Sequence, residues 1–135
     1  VVGSDGGLAN VAIFLRKASR VHESATAPAE PAVFDQEDCV FLSHVFPIVV
    51  GQPMVIKNSD PVGHNTNISG KNSFNQTIPA DEATQTDIQR EEALPVSVTC
   101  SIHPWMKAYL LSRENAYVAV TKPDGTFEIP NLPAA

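Results

Sequence analysis

Four side chains able to bind a metal fall into a compact pattern in this sequence. Cys100, His103 and Met106 share the run Cys100-Ser101-Ile102-His103-Pro104-Trp105-Met106, and His64 precedes them in the segment Val62-Gly63-His64-Asn65. Together they offer one thiolate, two imidazoles and one thioether. That donor set suits copper. Cu(II) and Cu(I) favour different geometries, and two nitrogens with a thiolate, plus a weak and long thioether contact, serve both states. A centre that changes little between two oxidation states passes one electron quickly. Pro104 fixes the backbone next to His103, and Asn65 is placed to hydrogen-bond to the ligand loop or to offer its N–H to the sulfur.

Two further residues belong to the same question. Cys39 is the other of only two cysteines, and three fates are open to it: a buried thiol, a bridge to Cys100, or participation in the metal site. A bridge would remove the Cys100 thiolate. His44 follows Cys39 closely enough for the pair to extend the site toward a second copper. Strand alternation opposes this, because it puts Cys39 with Phe41 and Ser43 on one face and His44 with Val40 and Leu42 on the other. His22 lies in a polar stretch and reads as a solvated residue.

The elements that must position these groups read as β-structure. Leu8–Leu15 is apolar and follows Gly6-Gly7, which predicts a first strand. Residues 24–32 are small and proline-containing and read as an exposed connection. Strands are expected over Cys39–Val45, over Phe46–Val50 ahead of a turn at Gly51, and over Met54–Asn58. Ser59-Asp60-Pro61 stops the last of these, with His64 in the loop beyond. Residues 69–87 read as a long polar excursion holding a short strand or two. Leu94–Thr99 is a strand closed by Cys100, and Met106–Leu111 is helix or strand. Tyr117–Thr121 and Thr126–Ile129 flank Lys122-Pro123-Asp124-Gly125 as a predicted hairpin. Short strands with frequent turns predict an all-β sandwich or barrel with Greek-key connections.

Composition excludes several function classes. The chain has 135 residues, enough for a single domain over 1–135, and a formal charge of −6 that phosphate backbones would repel. No nucleic-acid partner is expected. No apolar stretch reaches the length of a membrane span, and no signal-peptide pattern appears. The ending right after a predicted strand is consistent with a domain cut from a longer chain.

The pattern Cys-x-x-His-Pro-x-Met after a valine-rich strand, with an upstream Asn58-Ser59-Asp60-Pro61-x-x-His64-Asn65, resembles the cupredoxins. Within that family the short ligand loop is most similar to the amicyanin type. The resemblance spans roughly residues 40–111. Segments such as Val50-Gly51-Gln52 and the terminal Asp124–Pro133 are also similar to bacterial cupredoxin-like proteins. The resemblance implies a Greek-key β-sandwich with copper near one end, and electron exchange with a redox protein in the periplasm or another extracytoplasmic space. The N-terminal third and the end hairpin go beyond a minimal member of the family.

Other functions use parts of the same pattern. Copper storage or delivery would use the same ligands. A structural sandwich would rest on a Cys39–Cys100 disulfide, but an immunoglobulin-type domain places its tryptophan between the cysteines, and Trp105 follows both. A copper oxidase is disfavoured, and no enzyme is expected. The residues flanking Cys100 are Thr99 and Ser101 rather than histidines, and four histidines cannot build a catalytic copper cluster.

Overall fold

A computed structural model describes residues 2–134. Val1 and Ala135, the ends of the expected single-domain span, lie outside the described residues. The chain forms β1 (Ala12–Phe14), a 3₁₀ turn (Glu23–Ala25), β2 (Ala32–Glu37), β3 (Val40–Phe41), β4 (Val45–Val49) and β5 (Pro53–Asn58). It continues with β6 (His64–Ile68), β7 (Phe74–Ile78), β8 (Ala83–Asp87), β9 (Val96–Thr99), β10 (Lys107–Arg113) and β11 (Val118–Val120). One sheet has the order β4-β10-β9-β6-β7, another β3-β2-β5-β8, and β1 pairs with β11. The chain passes repeatedly between the two larger sheets. As a result β4 and β10 lie parallel, as do β2 and β5, while the other strand pairs are antiparallel. This is an all-β Greek-key sandwich, as expected.

The core lies between the inner faces of the two large sheets. Alternation along β5 buries Met54, Ile56 and Asn58 and leaves Lys57 exposed. The same period buries Ala108, Leu110 and Ser112 on β10 and His64, Thr66 and Ile68 on β6. Phe34 packs against Phe41 at 5.1 Å and edge-on against Phe46 at 5.2 Å. Outside the sandwich, the Arg113 guanidinium donates to the carbonyls of Leu15, Arg16 and Glu92, which ties the N-terminal segment to β10.

Several local expectations need correction. The first strand shrinks to Ala12–Phe14 because Asn10 takes a positive φ of 61°. The turn at Lys122–Thr126 closes, with the Thr126 carbonyl accepting from Lys122 N–H at 3.0 Å, but Thr126–Ile129 forms no strand and the C-terminal hairpin is absent. The N-terminal segment takes its place. β1 pairs with β11 from Ala12↔Val120 to Phe14↔Val118. Gly7 also lies so close to Asp124 that a Cβ there would sit 2.2 Å from its carbonyl carbon.

Cys39 is not on a strand. It forms with Asp38 the two-residue turn between β2 and β3, at φ of 54° and 55°, and only Val40–Phe41 pairs beyond it. The strand expected from Leu94 starts at Val96, after Pro95. Met106–Leu111 resolves as strand. β2 escaped the sequence pattern because its inner face carries Gln36 beside Phe34, both fully buried, so apolar alternation is broken.

Candidate metal centre

Three neighbouring strands bring the predicted groups to one end of the sandwich. β9 runs antiparallel to β10 with Thr99 opposite Lys107, and continuing that register by one residue sets Cys100 opposite Met106. The Cys100 N–H indeed donates to the Met106 carbonyl at 3.4 Å. On the other side of β9, Asn67 pairs with Thr99. Thr66 is therefore level with Cys100, and His64 lies one inner-face step beyond. Alternation thus turns His64, Cys100 and Met106 into the gap between the sheets, where all three are buried. His64 opens β6 rather than sitting in a loop, as the sequence had suggested.

The ligand loop folds back on its own sulfur. The His103 N–H donates to Cys100 Sγ at 3.4 Å, and the Met106 N–H donates to the His103 carbonyl at 3.0 Å. Asn65 Oδ1 accepts from Ser101 N–H at 3.2 Å, and its amide donates to Asn75 Oδ1 at 2.9 Å. The expected link from Asn65 to the loop is therefore present. The sulfur takes its backbone N–H from His103.

Within this frame His64 Nδ1 lies 2.9 Å from His103 Nδ1, and His103 Nδ1 lies 3.9 Å from Cys100 Sγ. The three donor atoms all fall within 4.8 Å of one another. Two facing ring nitrogens at this distance share one hydrogen, with one ring donating and the other accepting. Two nitrogens and a sulfur converging on one point make a donor set that fits a copper ion. Met106 closes the loop and is buried in the same core cluster as Cys100.

A carboxylate that the sequence reading did not single out orients the site. Asp60 Oδ2 contacts His64 Nε2 at 2.5 Å. The same carboxylate accepts the N–H groups of Asp38 at 2.7 Å and Cys39 at 2.9 Å. Burial alone would raise the Asp60 pKa, but these contacts from Cys39, His64 and Asp38 outweigh it and hold the carboxyl below its usual value of 3.8. With Nε2 engaged by Asp60, His64 presents Nδ1 to the other donors.

Asn58 shapes the loop between. Its fully buried amide donates to the carbonyls of Val62, Ile78 and Pro79, and its oxygen accepts from Asp60 N–H at 3.0 Å. The signal for Asp60 was the Asn58-Ser59-Asp60-Pro61-x-x-His64-Asn65 motif itself, in which Asn58 bonds to Asp60, Asp60 to His64, and Asn65 to the loop at Ser101.

The remaining candidates separate. The two cysteines are free, so the Cys39–Cys100 disulfide reading is withdrawn. Cys39 joins a second group, with Asp60 and His64. His44 joins neither group. It stands between β3 and β4 and packs edge-on against Tyr109 at 5.6 Å, because the break after Phe41 turns it away from the gap. His22 is exposed and caps the 3₁₀ turn through Ser24 N–H. Trp105 is 65% exposed. Its ring lies 5.1 Å from that of His103, and its N–H donates to the Cys39 carbonyl at 2.9 Å. Val62 and Ile102, in the loops that carry the site, are exposed as well.

No protein-family model matches the chain, and no curated protein sequence does either. Solved structures do match. Amicyanin from Paracoccus versutus is 17% identical and superposes with a TM-score of 0.54, over 76% of this chain and 97% of that one. A purple cupredoxin from Nitrosopumilus maritimus is 19% identical, with a TM-score of 0.51 over 61% of this chain and 99% of the other. A copper-containing nitrite reductase from Thermus scotoductus is 20% identical, with a TM-score of 0.58 over 76% of this chain but only 27% of the enzyme. At these identities the likeness is one of fold, and the fold is that of the cupredoxins. No helix among the described residues is long and apolar enough to cross a membrane.

Proposed function

We propose that the protein is a one-electron carrier that holds a single copper ion through His64 Nδ1, Cys100 Sγ and His103 Nδ1, with the Met106 thioether as a weak fourth donor. The observation that carries this reading is the convergence of those two nitrogens and one sulfur within 4.8 Å at the buried end of the sandwich. A bound copper ion would supply a one-electron couple between Cu(II) and Cu(I). The chain's own contribution is rigidity. Asp60 fixes the His64 ring, the His103 N–H steadies the sulfur, and Asn65 pins the loop to β6 and β7, so the donors need not rearrange when charge changes.

His103 and Trp105 offer the surface contact for a redox protein, and exposed apolar residues beside them suit a short-lived encounter. The resemblance of the ligand motif to the cupredoxins implies an extracytoplasmic carrier, and on that ground we place this chain in the periplasm or an equivalent space as one domain over 1–135. Enzymatic turnover is not part of the proposal.

Loading with Cu(II) to one equivalent should produce an intense visible thiolate-to-copper absorption and a compressed EPR hyperfine pattern. A colourless protein holding a full equivalent of Cu(II) overturns the reading.

A further inference from the structure

We propose that Cys39, Asp60 and His64 form a second cation site, for a borderline divalent ion of the zinc type, sharing the His64 ring with the copper-type group. This rests on the reading of His64 Nδ1 as a ligand in that first group.

The His64 ring stands between two separate sets of donors. Its Nδ1 faces His103 at 2.9 Å, and its Nε2 faces Asp60 at 2.5 Å. One donor atom each from Cys39, Asp60 and His64 falls within 4.8 Å of the others. An Asp60–His64 pair that served only to orient the ring would account for two of these residues. It leaves the thiol of Cys39 at the same point without a role.

The Cys39 turn is unusual for its chemistry. Asp38 and Cys39 both adopt positive φ, which Asn and Gly tolerate far better than cysteine. Asp60 holds the turn in place through both of its N–H groups.

The donor chemistry selects the ion. A thiolate, a carboxylate oxygen and an imidazole nitrogen are the three ligand types zinc accepts, and a half-exposed Cys39 leaves the fourth position toward water. No electron moves on binding. The thiol proton of Cys39 passes to solvent, as a thiol ligand gives up its proton to a metal. With copper on Nδ1, the Nε2 proton of His64 leaves as well, and the ring becomes an imidazolate shared by the two cations. A thiolate, a carboxylate and an imidazolate whose charge is shared with the copper then face a doubly charged ion. The site would place a second cation across one imidazole from the copper centre.

The test titrates copper-loaded protein with Zn²⁺ and, separately, with Co²⁺, whose near-ultraviolet thiolate-to-cobalt absorption reports a sulfur ligand. One equivalent of either ion should bind beyond the copper while the blue absorption persists. In Cys39→Ser the affinity should fall by at least about tenfold, since loss even of an outer partner of a metal ligand has that effect. Cys39→Ser is the variant of choice because Asp60 also holds the turn.

Three results overturn the second site: no added equivalent with the blue absorption intact, zinc that bleaches the copper absorption equivalent for equivalent, or Cys39→Ser binding like the wild type. Absence of blue absorption on copper loading defeats the copper reading instead. The metal-free protein then decides: zinc lost in Cys39→Ser and kept in Cys100→Ser upholds the second site, and the reverse abolishes it.

Discussion

Replacing Asp60 by Asn should destabilise the metal-free protein by about 3 kcal/mol. The Asp60 carboxylate accepts three hydrogen bonds, from Asp38 N–H, Cys39 N–H and the His64 ring. An amide keeps one acceptor oxygen and turns its NH₂ against groups that themselves donate. With the amide oxygen in place of Oδ2, the contact from Asp38 is lost outright, about 1.5–3 kcal/mol, and those from Cys39 and His64 drop from charge-assisted to neutral strength, about 1 kcal/mol each. Partial relaxation of the turn and a change of tautomer in the His64 ring bring the total to the lower end. For a chain of this length that is a fall in Tm of about 10 °C.

The pH dependence of the difference tests the cause. The folded carboxyl titrates below its usual 3.8. Between the folded and unfolded values the unfolded chain binds more protons, so acid favours unfolding there. The Asp60 contribution is therefore complete above the ordinary carboxylate range and is lost as pH falls through the lower, folded value. Urea unfolding of wild type and variant at pH 7 and at progressively lower pH should show the gap closing. A difference under about 0.5 kcal/mol at pH 7, or one that persists unchanged into acid, refutes the role assigned to Asp60.

Other perturbations read different parts of the site. Cys100→Ser should abolish the visible absorption while circular dichroism stays that of a β-sandwich; a retained blue colour would remove Cys100 from the centre. Met106→Leu conserves volume in a buried position and should cost less than about 1.5 kcal/mol, against about 2–5 kcal/mol for Met106→Ala, with the EPR spectrum altered in both. An unaltered spectrum in both would strike Met106 from the donors. Asn65→Ala removes the bonds to Ser101 and Asn75 and should speed copper loss to a chelator several-fold, with a stability loss of about 1–2 kcal/mol. Unchanged exchange would mean the loop is held by other contacts. Trp105 is the sole tryptophan, 5.1 Å from the His103 ring, so its fluorescence should be quenched by one equivalent of copper. Emission that is indifferent to copper places the ion elsewhere.

Much of the candidate centre was legible because metal chemistry demands particular side chains at particular spacings. Cys100, His103 and Met106 are close in the chain, so a single loop was bound to hold them near one another, and the strand before Cys100 announced itself through Val96 and Val98. Asp60 and Asn58 were visible only as members of a motif. Their roles depend on β5, β6 and β7 meeting at one end, where Asn58 reaches the carbonyls of Val62, Ile78 and Pro79. The Cys39–Val45 strand misled because local alternation cannot see the Asp38–Cys39 turn, which Asp60 secures from a distant loop. The expected end hairpin failed for a related reason. A Pro-Asp-Gly turn favours closure, yet the partner of β11 is decided by which strand reaches its edge, and β1 does.

From the sequence by itself came the donor types, the all-β class and the short ligand loop, because these follow from side-chain chemistry and from periods of two along the chain. The tertiary structure decided that His64 stands one inner-face step beyond Cys100, that Asp60 holds its far nitrogen, and that Cys39 rather than His44 lies beside it. Those relations are set by strand register and by crossings between sheets. They bring together residues far apart in the chain, and no local pattern specifies such distances.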